Sequence, residues 1–465
     1  MSEIGEAELG SNRPVEQRGS GASTRRGAAS LPRRIGLVEA LAVVVGTTIG
    51  SGIFRSPASI ANRLPSPTAF IAVWVVGGIL ALCGALTLAE VASALPRTGG
   101  IYVMLQEGWG ELAGFLFGWS ELVMIRAAAL GAVATTFAEY AIRLVAPAHG
   151  DLVHIVAAIA IVIFAALNII GVKWSTMLLG WTTLAKYGAL LFIVGAAVFV
   201  GSSRSGVPSP APVGAVGAVT ASAFGIALVA VLWAYDGWAD LSFIGGEVTT
   251  PEKTLPRALI AGTLAVIVIY VAANLAYIAV LPISRIQTSP LVAADVAQQL
   301  VGNWGVSLIS IAVVLATIGT LNASLLTTPR IFFAMADDGL LFRGIAAVHP
   351  KYKTPYRAIG LSAALGVAFV LLRTFDQLAD TFITAIVPFY ALAVAAIFPL
   401  RRRATYQPPY RVPGYPIVPA LFVFATLYIL ASAIADPRTR WGTLAVLGGA
   451  LAGIPVYYIA RRHRR

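Results

Sequence analysis

Apolar stretches of about 20 residues recur along almost the whole chain, from Leu37 to Ala460, and each can cross a hydrocarbon layer of about 30 Å. Backbone in such a layer has no water to bond to. Spanning segments of this length therefore satisfy their own N–H and C=O groups as α-helices. Of 465 residues only 12% are charged, against about 25% in an ordinary soluble domain. The expected fold class is an all-α integral membrane protein of about twelve transmembrane helices.

The expected spans lie at about 37–63, 67–93, 111–144, 152–171, 174–201, 220–248, 256–281, 304–336, 356–373, 376–400, 414–435 and 441–460. No loop between them is long enough to hold a soluble domain. The longest, from Pro282 to Asn303, contains SPLVAADVAQQL, an apolar alternation expected to form a short helix at the membrane surface. Residues 1–33 are rich in Gly, Ser, Arg and Glu with no apolar period and are expected to form a disordered tail. The membrane domain then covers 34–460, and 461–465 form a basic tail.

The net charge of +12 raises nucleic acid as a partner, but the distribution of the charge argues otherwise. Arg33-Arg34, Lys351, Lys353, Arg357, Arg401-Arg402-Arg403 and the terminal Arg461-Arg462-His463-Arg464-Arg465 all fall on one side of the expected topology. Such a bias orients a multi-pass protein in the cell membrane with both ends cytoplasmic, where anionic lipid headgroups are the counterions. The single cysteine, Cys83, rules out a disulfide framework or a Cys-rich metal site. Four histidines without an HExxH pattern point away from a zinc site. With no nucleophile–base arrangement either, neither an enzyme nor a bound cofactor is expected. The first apolar run ends in a Gly-Ser-Gly break rather than an A-x-A site, so no removable signal peptide is read.

Two spans are interrupted. The first reads Val45-Gly46-Thr47-Thr48-Ile49-Gly50-Ser51-Gly52-Ile53-Phe54, with three glycines in seven residues. Glycine lets a backbone leave helical dihedrals and approach a ligand closely. A helix broken at mid-membrane offers free N–H groups on one half and free C=O groups on the other, which attract a carboxylate and an ammonium group respectively. The sixth span reads Trp233-Ala234-Tyr235-Asp236-Gly237-Trp238-Ala239-Asp240, with two acids and a glycine in an apolar segment. Breaks in the first helix of each half point to a site between two inverted repeats. The repeats then cover about 37–201 and 220–400, with two further helices over about 414–460. The alternative for the first motif is close helix packing through small residues.

A lysine deep in a span costs about 2.5–3.5 kcal/mol unless it meets a partner or water. Lys186 is one. Its ammonium is suited to stand where a bound sodium ion would tie the first and eighth spans together, or to titrate in proton coupling; snorkelling to the surface is the bland alternative. Asp236 is suited to bind a cationic substrate group, to carry a proton, or merely to cap its half-helix. Arg126 is expected to pair with a carboxylate such as Glu121 rather than act as a ligand. Glu90, Glu247 and Arg330 stand at span ends, where ion pairs latch a gate or simply sit at the interface. Trp233 and Phe54, beside the breaks, are candidate lids.

At these motifs the chain resembles the amino acid–polyamine–organocation superfamily, most closely its L-type amino acid transporter branch. GTTIGSGIFRSP is similar to that family's G-x-x-x-G-S-G-I-F signature, and AEVASALPRTGGIYVML to its A-E-L-x-x-x-x-P-x-x-G-G-x-Y stretch. WSELVMIRAAA resembles W-x-E-x-x-x-I-R-P with Ala127 for proline, and WAYDGWADLSFIGGEVTTPEKTLPRA resembles the pattern around the sixth span. LNASLLTTPRIFFAMADDG and the His349-Pro350 pair continue the likeness.

The resemblance implies a five-plus-five inverted-repeat fold with discontinuous helices 1 and 6. It implies that amides around Ile49, Gly50, Ser51 and Gly52 hold a substrate carboxylate. Carbonyls of Thr48, Trp233, Ala234 and Asp236 would receive the α-ammonium, with Trp233 as the gating aromatic and Ile125 and Val133 lining the side-chain pocket. Lys186 matches the fifth-span lysine of sodium-independent members, and Ser324 shares its coupling role. Three departures stand out. Gly246 replaces the first of two consecutive glutamates, Ala239 replaces a polar residue, and residues 145–151 lack the cysteine that joins some members to a glycoprotein subunit.

The expected function is therefore an amino-acid transporter favouring neutral L-amino acids, working by sodium-independent exchange. Proton symport through Lys186 or Asp236 and a transport-dead amino-acid sensor are the alternatives. A major facilitator is excluded by the missing long central loop and G-x-x-x-D-R-x-G-R-R motif.

Overall fold

The computed structural model describes residues 33–97, 99–170, 173–203, 219–337, 339–340, 344–345, 347–352 and 354–462. The tail expected over residues 1–33 falls, except for its last residue, outside the described residues, as do Lys353 and the last three residues of the basic tail.

The first apolar run is two helices, α1 (Leu37–Thr48) and α2 (Gly52–Arg63). Pro67, whose fixed φ suits a first turn, then opens α3 (Pro67–Ala94). After α4 (Ile101–Trp109), the helices α5 (Glu111–Ser120) and α6 (Arg126–Val145) join through a π-helical turn, Glu121–Ile125, into one long span. The first half closes with α7 (Val153–Ile170) and α8 (Lys173–Ser203).

The second half begins with another divided helix. α9 (Ala221–Tyr235) gives way at Asp236 to a turn and a 3₁₀ segment, Asp240–Glu247. α10 (Pro251–Val280), α11 (Ile283–Thr288), α12 (Val292–Val301), α13 (Asn303–Asp337) and α14 (Tyr356–Leu372) come next. α15 (Phe375–Ala395) starts at a capping box, in which Thr374 and Gln377 bond each other's backbone, satisfying two orphan amides. α16 (Ile397–Arg401), α17 (Ile417–Ala435), α18 (Arg440–Leu451) and α19 (Gly453–Arg462) complete the chain.

Among the described residues ten stretches are long and apolar enough to cross a membrane. Two shorter apolar stretches, Leu184–Phe199 and Tyr356–Leu372, stand where the fifth and ninth spans are expected. No strand occurs among these residues, only an isolated bridge between Ile35 and Val248. The chain is thus an all-α membrane protein.

Two packing groups emerge. α1, α2, α3, α9 and α10 contact one another, and α6 packs with α7, α13 and α14. Without a hydrophobic drive between helices in lipid, close approach depends on small residues. At Gly262 of α10, an added Cβ would lie 2.7 Å from a Val44 methyl of α1, so the glycine leaves room for that side chain to pack on the α10 backbone. The α5–α6 span is central, with 83% of its apolar window buried in protein, against 22% for Arg440–Ile459 at the periphery. The surface helix expected between Pro282 and Asn303 is α12, whose Val292, Ala293, Val296 and Ala297 are buried against α13, α10 and α2.

Candidate functional site

The two interruptions meet. α1 stops at Thr48, the Gly50 amide turns back onto the Thr48 carbonyl at 2.8 Å, and Ile49 leaves helical dihedrals. The first amides of α2 are left without intrahelical acceptors. In the other break Asp236 is extended and Gly237 adopts φ +113°, a value that only glycine takes without strain. Space imposes the same choice: a Cβ on Gly237 would lie 2.7 Å from the backbone of Thr47 and Thr48. Reciprocally, a Cβ on Gly52 would press into the Cα of Ala234. The Thr47 hydroxyl also donates to the Gly237 carbonyl at 3.1 Å. Each break is thus shaped by the backbone of the other.

Between them and the scaffold helices lies a cavity of about 80 Å³. Of the residues singled out from sequence, Thr48, Gly50, Ser51, Gly52, Val133, Trp233, Asp236 and Ser324 line it. The Ser51 hydroxyl and the Trp233 indole N–H are buried without a hydrogen-bond partner. Trp233 packs edge-on against Phe382, 5.1 Å between ring centres, and against Phe375.

Other expected positions lie elsewhere. Ile49 and Ile125 are fully buried and do not line the cavity. Ile125 closes the π-turn, and from the helix beyond it Arg126, Ala129 and the expected Val133 face the cavity. Phe54 is wholly buried; Phe382 is the aromatic that accompanies Trp233 at the cavity wall. Ala234 abuts Gly52 rather than the cavity. The Thr48 carbonyl accepts both the Tyr270 hydroxyl at 2.9 Å and the Gly50 amide, which engages its two lone pairs.

Lys186 is fully buried and does not snorkel. Its ammonium donates to the Gly46 carbonyl at 2.9 Å and to the Thr320 hydroxyl at 3.0 Å. Thr320 in turn lines the cavity, so the lysine braces the wall from behind by tying α8 to α1 and α13.

Sequence reasoning missed the charged floor. Glu121, Arg126 and Asp240 line the cavity beside Asp236, Phe243 and Tyr390. Arg126 does pair with Glu121, at 3.3 Å, and Asp236 accepts the Tyr390 hydroxyl at 2.6 Å. A signal was present: Asp240 comes one helical turn after Asp236, and Glu121 and Arg126 lie close together in a span where charge is expensive. Among the described residues no group of three His, Cys, Asp or Glu is placed to hold a metal ion.

Polar contacts brace both ends of the cavity. On one side Arg55 meets Glu139 at 3.0 Å and stacks over Phe375, Ser59 meets Asp376, and Arg63 meets Asp380 at 3.6 Å. On the side of Arg34 and Arg401, Arg34 and Ile35 pair with the backbone of Glu247. There the wholly buried Glu90 takes two bonds from Arg401 and one from the Val412 amide. The side chain of Arg330 lies outside the described residues.

A family model described as amino acid permease matches residues 35–452. The chain is similar to the serine/threonine exchanger SteT of Bacillus subtilis (strain 168), 34% identical over 93% of this chain and 98% of that protein. It is similar to the large neutral amino acids transporter small subunit 2 of Mus musculus, 31% identical over 94% of this chain and 83% of the other. The human cystine/glutamate transporter is 28% identical over 92% of this chain and 85% of its own length.

Proposed function

This chain belongs to the amino acid permease family, and from that premise we propose that it exchanges L-amino acids across the cell membrane by alternating access, without sodium. The single observation that carries the reading is the crossing of two broken helices at one buried cavity. The start of α2 offers amides to a carboxylate, and the end of α9 offers carbonyls and Asp236 to an ammonium group. A zwitterion needs both poles, and either pole alone would leave a charge unmatched.

Ala129, Val133, Phe382 and Ile386 form an apolar wall suited to the aliphatic part of a neutral side chain. Lys186 puts its side-chain amine between α1 and α13, on the Gly46 carbonyl and the Thr320 hydroxyl, which supports exchange over sodium symport. The basic clusters near Arg34, Arg401 and Arg461 favour an orientation with both ends in the cytoplasm. With Cys83 buried and no second cysteine, no disulfide-linked subunit is required.

The test is counterflow with the purified protein in proteoliposomes. Labelled amino acid should accumulate only when an unlabelled amino acid is trapped inside, with no sodium or pH gradient. Saturable binding with neither uptake nor counterflow would identify a sensor, and accumulation that requires a pH gradient would identify a proton symporter.

A further inference from the structure

The second break has no helical ladder over Asp236 to Ala239, so its shape depends on what its side chains touch. Asp236 is held by the Tyr390 hydroxyl at 2.6 Å. Trp238, in the middle of the turn, is only 3% exposed and does not line the cavity. Its ring centre lies 5.2 Å from that of Tyr390 and 5.9 Å from that of Phe422, the latter edge-on. Phe422 is buried and belongs to α17, a helix beyond the stretches expected to form the two repeats.

α3 makes room for this junction with a glycine. A Cβ on Gly84 would lie 2.6 Å from the Trp238 ring and 2.9 Å from the Phe422 ring, so both rings rest on bare backbone. α17 is also fastened along α9, the helix that leads into the break. The Tyr428 hydroxyl donates to the Ala221 carbonyl, and Ser432 packs on Gly225, where there is no space for a Cβ. One helix thus holds α9 near its start and the turn that follows its end.

We propose that Phe422 is a positioning residue for substrate binding. It presses Trp238 onto Tyr390, and the Tyr390 hydroxyl in turn keeps the unwound turn in its binding shape. This role rests on the amino-acid reading of the cavity. It gives α17 a part in substrate recognition although Phe422 lies outside the cavity lining.

Counterflow with the full-length protein in proteoliposomes separates the half-saturation concentration from the maximal rate. Phe422→Ala should raise the half-saturation concentration of every amino acid carried by about threefold to tenfold, the worth of one aromatic edge contact. The maximal rate per folded transporter should stay within about twofold, as when only binding is lost. Phe424, on the same helix but 68% exposed, is the control: Phe424→Ala should change neither quantity. Tyr390→Phe should raise the half-saturation concentration by itself and add little to Phe422→Ala, because both act through one contact.

An unchanged half-saturation concentration in Phe422→Ala, with or without a fall in maximal rate, would overturn this role while leaving the transport reading intact. Effects of Phe422→Ala and Tyr390→Phe that simply multiply would overturn it too. If Phe422→Ala does not fold, Phe422→Leu decides in its place: it keeps apolar bulk and loses the ring edge, so the half-saturation concentration should still rise, and no rise would overturn the role. If the wild type exchanges no amino acid at all, the transport reading fails first, and the role of Phe422 falls with it.

Discussion

The two helix breaks occupy equivalent places in the two halves yet are made of different chemistry. The first, Ile49 to Ser51, is uncharged and small, and what it presents is backbone. The second, Asp236 to Ala239, brings carboxylates at both of its ends, since Asp240 opens the adjoining 3₁₀ segment. Peptide dipoles at a helix end recognise the carboxylate common to every amino acid, whereas side-chain charge distinguishes one amino acid from another. The first break therefore presents backbone groups, and the second presents side-chain charge. Lys186 reinforces this division, because it supports α1 at Gly46 and makes no described contact with α9.

The largest effect should come from filling the crossing itself. Gly52→Val or Gly237→Ala puts atoms into the opposing backbone, and forced overpacking of this kind costs about 1–3 kcal/mol. Here the strain falls on the two poles together, so exchange should be abolished while detergent size-exclusion still shows a monodisperse protein. Normal exchange in Gly237→Ala would show that the breaks do not depend on each other.

Gly50→Leu ranks second. A Cβ there meets nothing nearer than the Thr48 carbonyl at 4.0 Å, so the protein should fold and the longer side chain should fill the cavity. Ligand-induced thermal stabilisation should vanish for every amino acid alike. Retained affinity would remove the first break as the carboxylate pole.

Lys186→Ala comes next. It deletes two charge-assisted hydrogen bonds, each worth about 1.5–3 kcal/mol. If even half of one is spent in the transport cycle, turnover falls by about threefold to tenfold, with expression nearly normal. Turnover equal to the wild type would sever the lysine from coupling. The smallest effect is expected from sodium: an imposed gradient should leave exchange unchanged, and a sharp rise would reinstate a sodium site that Lys186 is read as replacing.

Much of the molecule is legible in the sequence because lipid imposes simple rules. Long apolar runs have to be helices, and the glycines at 46, 50 and 52 and the acids at 236 and 240 stand out against them. In the sequence Glu90 is an end-of-span charge able to latch a gate; the structure adds that it is fully buried and held by Arg401 and the Val412 amide, partners more than 300 residues away that no local pattern points to. Some details rest on contacts that no short stretch announces. Ile125 closes the π-turn and is buried, while Arg126 next to it faces the cavity. The Thr48 carbonyl accepts from Tyr270 of α10, a donor that nothing near Thr48 in the chain points to.

By itself the sequence determined that this chain crosses a membrane many times, that two of its helices break, and to which family it belongs. Each of those properties is written in local composition, and burial in lipid leaves few alternatives. Only the tertiary structure decided what faces the cavity: Arg126 rather than Ile125, Phe382 rather than Phe54, Asp240 beside Asp236. Facing depends on helix phase and on contacts between residues far apart in the chain, and neither is carried by any short stretch of sequence.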